Sequence, residues 1–141
     1  VTRSTMLLRA LLPLIGLCIL FLGLDVVFGG IRTSGWMGPT DFVDVLNPAD
    51  FNAQDNHVRF LGGVFTSFGL VFLAGAFLFH SLRITLIVLC GIVFLGGLAR
   101  FTTPDLATLL NMAVLPSVLL ELFLFPALAV WIFKAGRHHA P

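Results

Sequence analysis

Long unbroken apolar runs organise this chain. Residues 8–30, 57–79, 82–101 and 109–133 are almost wholly hydrophobic, and short polar stretches separate them. A helix rises 1.5 Å per residue, so ~20 residues cross the roughly 30 Å of hydrocarbon in a bilayer, and each run is near or above that length. The strict apolar–polar alternation of a membrane β-barrel is missing. The pattern therefore predicts an all-α fold: an antiparallel four-helix transmembrane bundle forming one integral membrane domain over 1–141.

The punctuation between the runs predicts how they connect. "HSLR" (His80 to Arg83) is so short a link that runs two and three become antiparallel neighbours. Between runs three and four, Thr103-Pro104 marks a helix stop, and Thr103 or Asp105 is placed to cap the next helix. The longest connection, 31–56, carries Asp41, Asp44, Asp50 and Asp55 and the turn signals "MGP" and "NPADF". It reads as an outer loop in which "DFVDVLNPADF" lies along the membrane surface. Arg3, Arg9, Arg83, Lys134 and Arg137 fall on one side, and Arg32, Arg59 and Arg100 on the other. The positive-inside rule then puts both termini in the cytoplasm. The first run has the basic start of a secretory signal, but its core is too long and "GGIRTSG" offers no small-residue cleavage site, so it reads as a retained anchor.

Composition sharpens this picture. Hydrophobic residues make up 58% of the chain and charged ones 11%, against roughly 25% charged in soluble domains. The mean hydropathy is +1.05. A formal net charge of +1 argues against a nucleic-acid partner. Fifteen Phe and no Tyr suit contact with acyl chains, and Trp36 and Trp131 serve as interfacial anchors. Cys18 and Cys90 both sit inside apolar runs and read as small hydrophobes rather than a redox pair. No nucleophile–base pair, phosphate loop, calcium loop or metal-ligand cluster is present in the pattern, so no catalytic residue, metal or cofactor is expected. His57 and His80 stand at opposite ends of run two, and His138 and His139 belong to a solvated tail.

The chemistry that remains is a mirrored pair. "NHVRFLGG" opens run two with Arg59 ahead of Gly62 and Gly63; "FLGGLARF" closes run three with Gly96 and Gly97 ahead of Arg100. In a hairpin both arginines meet the outer boundary, and residues three and four away lie one turn beneath them. The glycine pairs are expected as packing notches where another helix or a ligand meets bare backbone. Two guanidinium groups at the edge of hydrocarbon need anions. Asp25 near the end of run one and Glu121 within "VLLELFLF" are the candidates, because a charge at mid-bilayer costs roughly 2.5 to 3.5 kcal/mol. Asp25, Arg59, Arg100 and Glu121 thus form one expected polar cluster. Three readings stay open: arginines reaching lipid phosphates, an ion network that holds the helices, and a site for a polar or anionic ligand.

At these same two motifs the chain resembles a bacterial family of small four-span membrane proteins described as domain of unknown function 4345. The resemblance rests on Asn56, Arg59, Gly62 and Gly63, and on Gly96, Gly97, Leu98 and Arg100. It covers the middle and rear of the chain, with the acidic loop and basic tail outside it. It implies a four-helix bundle in a bacterial inner membrane and offers no accepted activity. The leading functional expectation is a non-catalytic accessory subunit of a larger membrane complex, of the energy-transducing (photosynthetic or respiratory) kind, with membrane lipids as its other partners. The alternative is a binder or carrier of a lipid, quinone or small amphiphile at a polar site near the outer face. A third reading, an enzyme using Glu121 to move a proton, has only that residue behind it.

Overall fold

The computed structural model describes residues 3–33 and 45–137. Trp36, Asp41, Asp44, His138 and His139 lie outside the described residues. The fold is all-α. Four helices are long and apolar enough to cross a membrane: Arg3–Arg32, Pro48–Phe77, Phe79–Thr102 and Leu115–Gly136. In detail they are α1 (Arg3–Gly29), α2 (Pro48–Phe77), α3 (Phe79–Ala99), and a last span built from α4 (Leu115–Leu119), a π-helical turn (Leu120–Leu124) and α5 (Phe125–Arg137). Among the described residues packing groups two compact units, one within Arg9–Phe77 and the other made of residues 3–8 with 78–137.

Three element boundaries differ from those the hydrophobic runs predict, each for a local reason. α2 begins at Pro48 rather than at His57, so the last third of the expected 31–56 loop is helix. Asn47 supplies the cap: its Oδ1 accepts from the Ala49 amide at 3.0 Å, and its Nδ2 donates to Asp50 at 2.6 Å. Pro48 follows at the first helical position, where its missing N–H costs nothing. "HSLR" is not a link; α3 starts at Phe79, and a single residue separates it from α2, Leu78, whose carbonyl accepts from the Leu82 amide at 2.9 Å. The last helix starts at Leu115 rather than near Leu109. Residues Leu106–Leu110 form a 3-10 turn capped by Asp105, and Asn111 Oδ1 then accepts from the Ala113 amide at 2.9 Å in the turn that leads to Leu115.

The unit Arg9–Phe77 is an antiparallel hairpin of α1 and α2 held close by glycine. Gly16 and Gly23 on α1, and Gly62 and Gly69 on α2, are each seven residues apart, two helical turns, and so line one face of each helix. A Cβ on Gly69 would lie 2.6 Å from the Leu20 amide nitrogen, one on Gly23 2.5 Å from that of Thr66, and one on Gly62 2.8 Å from that of Val27. Rising numbers on α1 meet falling numbers on α2, which is the antiparallel register. Leu12, Ile19, Phe72 and Ala76 fill the rest of the buried seam.

In the other unit α3 packs antiparallel on the last span. Leu86, Leu89, Cys90 and Val93 present a helical stripe to Phe125, Leu128, Ile132 and Ala135. At one end the Arg83 guanidinium lies over the Phe133 ring, 5.9 Å from its centroid, and against Gly136, where no side chain intervenes. Thr5 and Leu8 are buried, and Trp131 donates its indole N–H to the Ser4 hydroxyl at 2.7 Å, so the start of α1 is tied to α5.

The expected glycine notches divide accordingly. Gly62 meets α1 and Gly97 meets the Glu121 side chain, whereas Cβ atoms on Gly63 or Gly96 would meet no described atom within 4 Å. Neighbours one residue apart on a helix point about 100° away from each other, so only one of each pair faces a partner. Gly69→Ala is expected to destabilise by about 1–3 kcal/mol, since backbone must move to admit a methyl group. Gly63→Ala should be neutral or slightly stabilising, because alanine is the better helix former. Thermal melts of the two variants in detergent check this contrast.

Candidate functional site

Arg59 is answered from its own helix and from α1. Its Nε donates to Asp55 Oδ2 at 2.6 Å, one turn earlier on α2. One terminal nitrogen donates to the carbonyls of Val27 and Phe28 at 2.8 and 2.9 Å. These are among the last carbonyls of α1, which have no amide partner within their helix. Asp55 completes the joint, because its Oδ1 accepts from the Ile31 amide at 2.8 Å, just past Gly30. Gly30 turns the chain with φ of +62°, and a side chain there would collide with Asp55.

The opposite end of the same hairpin repeats the device in reverse. Arg9, near the start of α1, donates its Nε to the Ala76 carbonyl at the end of α2, at 2.8 Å. Each helix lends the other an arginine for its carbonyl terminus. That placement satisfies acceptors that hydrocarbon cannot and sets a cation against the negative end of the helix dipole.

Arg100 and Glu121 pair in the other unit. Arg100 Nε and Nη2 donate to the two carboxylate oxygens of Glu121 at 2.6 and 2.7 Å, a bidentate fork. Three features make this reach possible. The last helix starts at Leu115, which sets Glu121 only ~9 Å along it rather than at mid-bilayer. The stretch that carries Glu121 is a π turn; the Phe125 amide reaches back to the Leu120 carbonyl, and Pro126 has no amide to hold an α-helical turn. Gly97 leaves room for the Glu121 side chain, whose Cβ would lie 2.8 Å from a side chain at that position.

The four residues expected in one cluster thus fall two to each unit: Asp25 and Arg59 in one, Arg100 and Glu121 in the other. Asp25 is not the counter-ion of Arg59; Asp55 is. The spacing of Asp55 and Arg59, four apart, is a helical ion-pair signal that reading 31–56 as loop conceals. Asp25 instead accepts from the Thr33 hydroxyl at 2.5 Å.

Beside that bond lies a cleft of about 590 Å³, lined by Phe21, Leu24, Asp25, Phe28, Gly29, Arg32 and Thr33. Positions 21, 24, 25 and 28 share one face of α1, so the cleft is an apolar groove with a polar end. Phe28 is 77% exposed. Arg32 lies at that polar end with its guanidinium 5.3 Å from the centroid of the Phe51 ring. Among the described residues, no group of three His, Cys, Asp or Glu side chains gathers to hold a metal.

The sequence profile of the family described as "Domain of unknown function (DUF4345)" matches residues 7–132. The chain belongs to this family. The match takes in the acidic connection between α1 and α2, which the motif resemblance alone leaves out. Both ion pairs and the cleft of this DUF4345 chain lie inside the matched range. Comparisons with curated proteins and with solved structures gave no match. Its four membrane-capable helices make the chain a multi-pass membrane protein.

Glu121→Gln is expected to lower stability by about 2–3 kcal/mol, since it strands a partly buried guanidinium in an apolar setting. The double variant Arg100→Gln with Glu121→Gln should recover most of that loss, because a neutral pair needs no counter-charge. A double-mutant cycle of detergent melts measures the coupling directly.

Proposed function

We propose that this protein is a non-catalytic membrane protein that binds an amphiphile in the groove along α1. The observation behind this reading is the cleft itself, an apolar trough ending at one carboxylate, one hydroxyl and one guanidinium. Small-molecule sites are built this way, with apolar walls and few polar groups to orient the ligand. The other arginines of the expected cluster favour structural roles instead. Arg59 and Arg100 are engaged in ion pairs with carboxylates of their own unit, whereas Arg32, which feels Asp55 without an ion pair to it, lines the groove. Catalysis at Glu121 has little support, since both its oxygens accept from Arg100.

Native mass analysis of the full chain after mild detergent extraction tests the proposal. The wild type should retain an amphiphile as a discrete mass adduct. Leu24→Trp, which fills the groove, should reduce retention at least tenfold without moving the thermal melt. Equal retention by the two proteins defeats the reading.

A second reading, an accessory subunit of a larger complex in a bacterial inner membrane, draws on a separate observation. Gly63, Gly91 and Gly96 have no described neighbour where a side chain would stand. Bare backbone of this kind is where helices of another membrane protein approach closely. Under this reading Gly63→Leu and Gly96→Leu release the chain from a co-extracted assembly seen by native electrophoresis of membranes. Migration as a lone chain in the wild type removes it.

A further inference from the structure

The groove end holds two opposite charges that do not neutralise each other. Asp25 and Arg32 both line the cleft, yet no ion pair joins them among the described residues. Each is held where it is by a different neighbour. Thr33 donates its hydroxyl proton to Asp25 Oδ2, which leaves Asp25 Oδ1 and the lone pairs of the Thr33 oxygen as acceptors. Arg32 is steadied over the Phe51 ring and attracted by Asp55, with no ion pair to it among the described residues, so its five donors remain for a ligand. A carboxylate with a hydroxyl acceptor, a separate guanidinium and an adjoining apolar trough call for a ligand of matching polarity.

We infer that the occupant is a zwitterionic phospholipid with a primary ammonium, an ethanolamine-type headgroup. This assignment rests on the amphiphile reading of the groove and names its ligand class. The ammonium donates to Asp25 and to the Thr33 oxygen, and the phosphate oxygens accept from Arg32 in the bidentate manner that guanidinium favours. Phe21, Leu24 and Phe28, spread over ~10 Å of α1, take the first part of an acyl chain. A purely anionic lipid gains Arg32 but faces the Asp25 charge. A quaternary ammonium satisfies the charge of Asp25 but has no N–H to donate, so it forfeits both hydrogen bonds. The headgroup that uses every polar group of the cleft carries both an N–H cation and a phosphate.

The test is a native mass titration of the purified full chain with dioleoyl phosphatidylethanolamine, phosphatidylcholine and phosphatidylglycerol in parallel. The ethanolamine lipid should bind on the order of tenfold more tightly than either of the others. Asp25→Asn keeps an oxygen to accept from Thr33 and so preserves the local fold, which an unchanged melt verifies; it should erase the preference over the choline lipid. Arg32→Gln should weaken the ethanolamine and choline lipids alike, and Arg32→Lys should restore part of that binding. Equal affinity for all three lipids in the wild type, or a preference that survives Asp25→Asn, overturns the headgroup assignment. Leu24→Trp separates the two levels. If it strips all three lipids while the wild type does not distinguish them, the groove stands and only its headgroup choice falls; if it strips none, the groove reading falls as well.

Discussion

A helix leaves its last carbonyls without partners in its own hydrogen-bond ladder, and an apolar membrane setting supplies few others. The hairpin of α1 and α2 meets this constraint by exchange. Arg9 on α1 serves the Ala76 carbonyl at the end of α2, and Arg59 on α2 serves Val27 and Phe28 at the end of α1. The exchange works only in an antiparallel pair, where the start of one helix stands beside the finish of the other. It also requires the helices to lie close, which Gly16, Gly23, Gly62 and Gly69 permit. Backbone chemistry, small-residue packing and arginine placement are therefore one arrangement seen from three sides.

The same economy governs charge. Lone ions are costly among acyl chains, so Asp55 accompanies Arg59 and Glu121 accompanies Arg100. In each case the backbone yields to the pair. Gly30 adopts a left-handed turn so that Asp55 can take the Ile31 amide, and the last span widens into a π turn around Glu121. The groove is where this economy is incomplete. There Asp25 and Arg32 line one open groove with no ion pair between them among the described residues, and that incompleteness, rather than the conspicuous arginines at the mirrored motifs, is what points to a ligand.

Much of the fold is legible in the residue pattern. The four apolar runs correspond to four helices, because sustained hydrophobicity over ~20 residues has few other solutions in lipid. Boundaries are less legible, since they depend on single capping residues. "NPAD" can be read as a turn or as a cap, and the structure uses Asn47 and Pro48 as a helix start. That one ambiguity hides the Asp55–Arg59 pair. Likewise, Glu121 is too deep to meet Arg100 only while the last helix is taken to begin near Leu109.

The amino-acid sequence by itself determined the solvent, the helical class, the number of spans and the presence of ionisable groups that must be neutralised. Those follow from the transfer energies of side chains and from the backbone's need for internal hydrogen bonds, both properties of composition and order. Tertiary structure alone decided which acid answers which arginine, which glycine of each pair is covered, and that Asp25 and Arg32 line one open groove without an ion pair between them. These depend on rotation about helix axes and on register between helices, where a shift of one residue turns a side chain through about 100° and changes its neighbour.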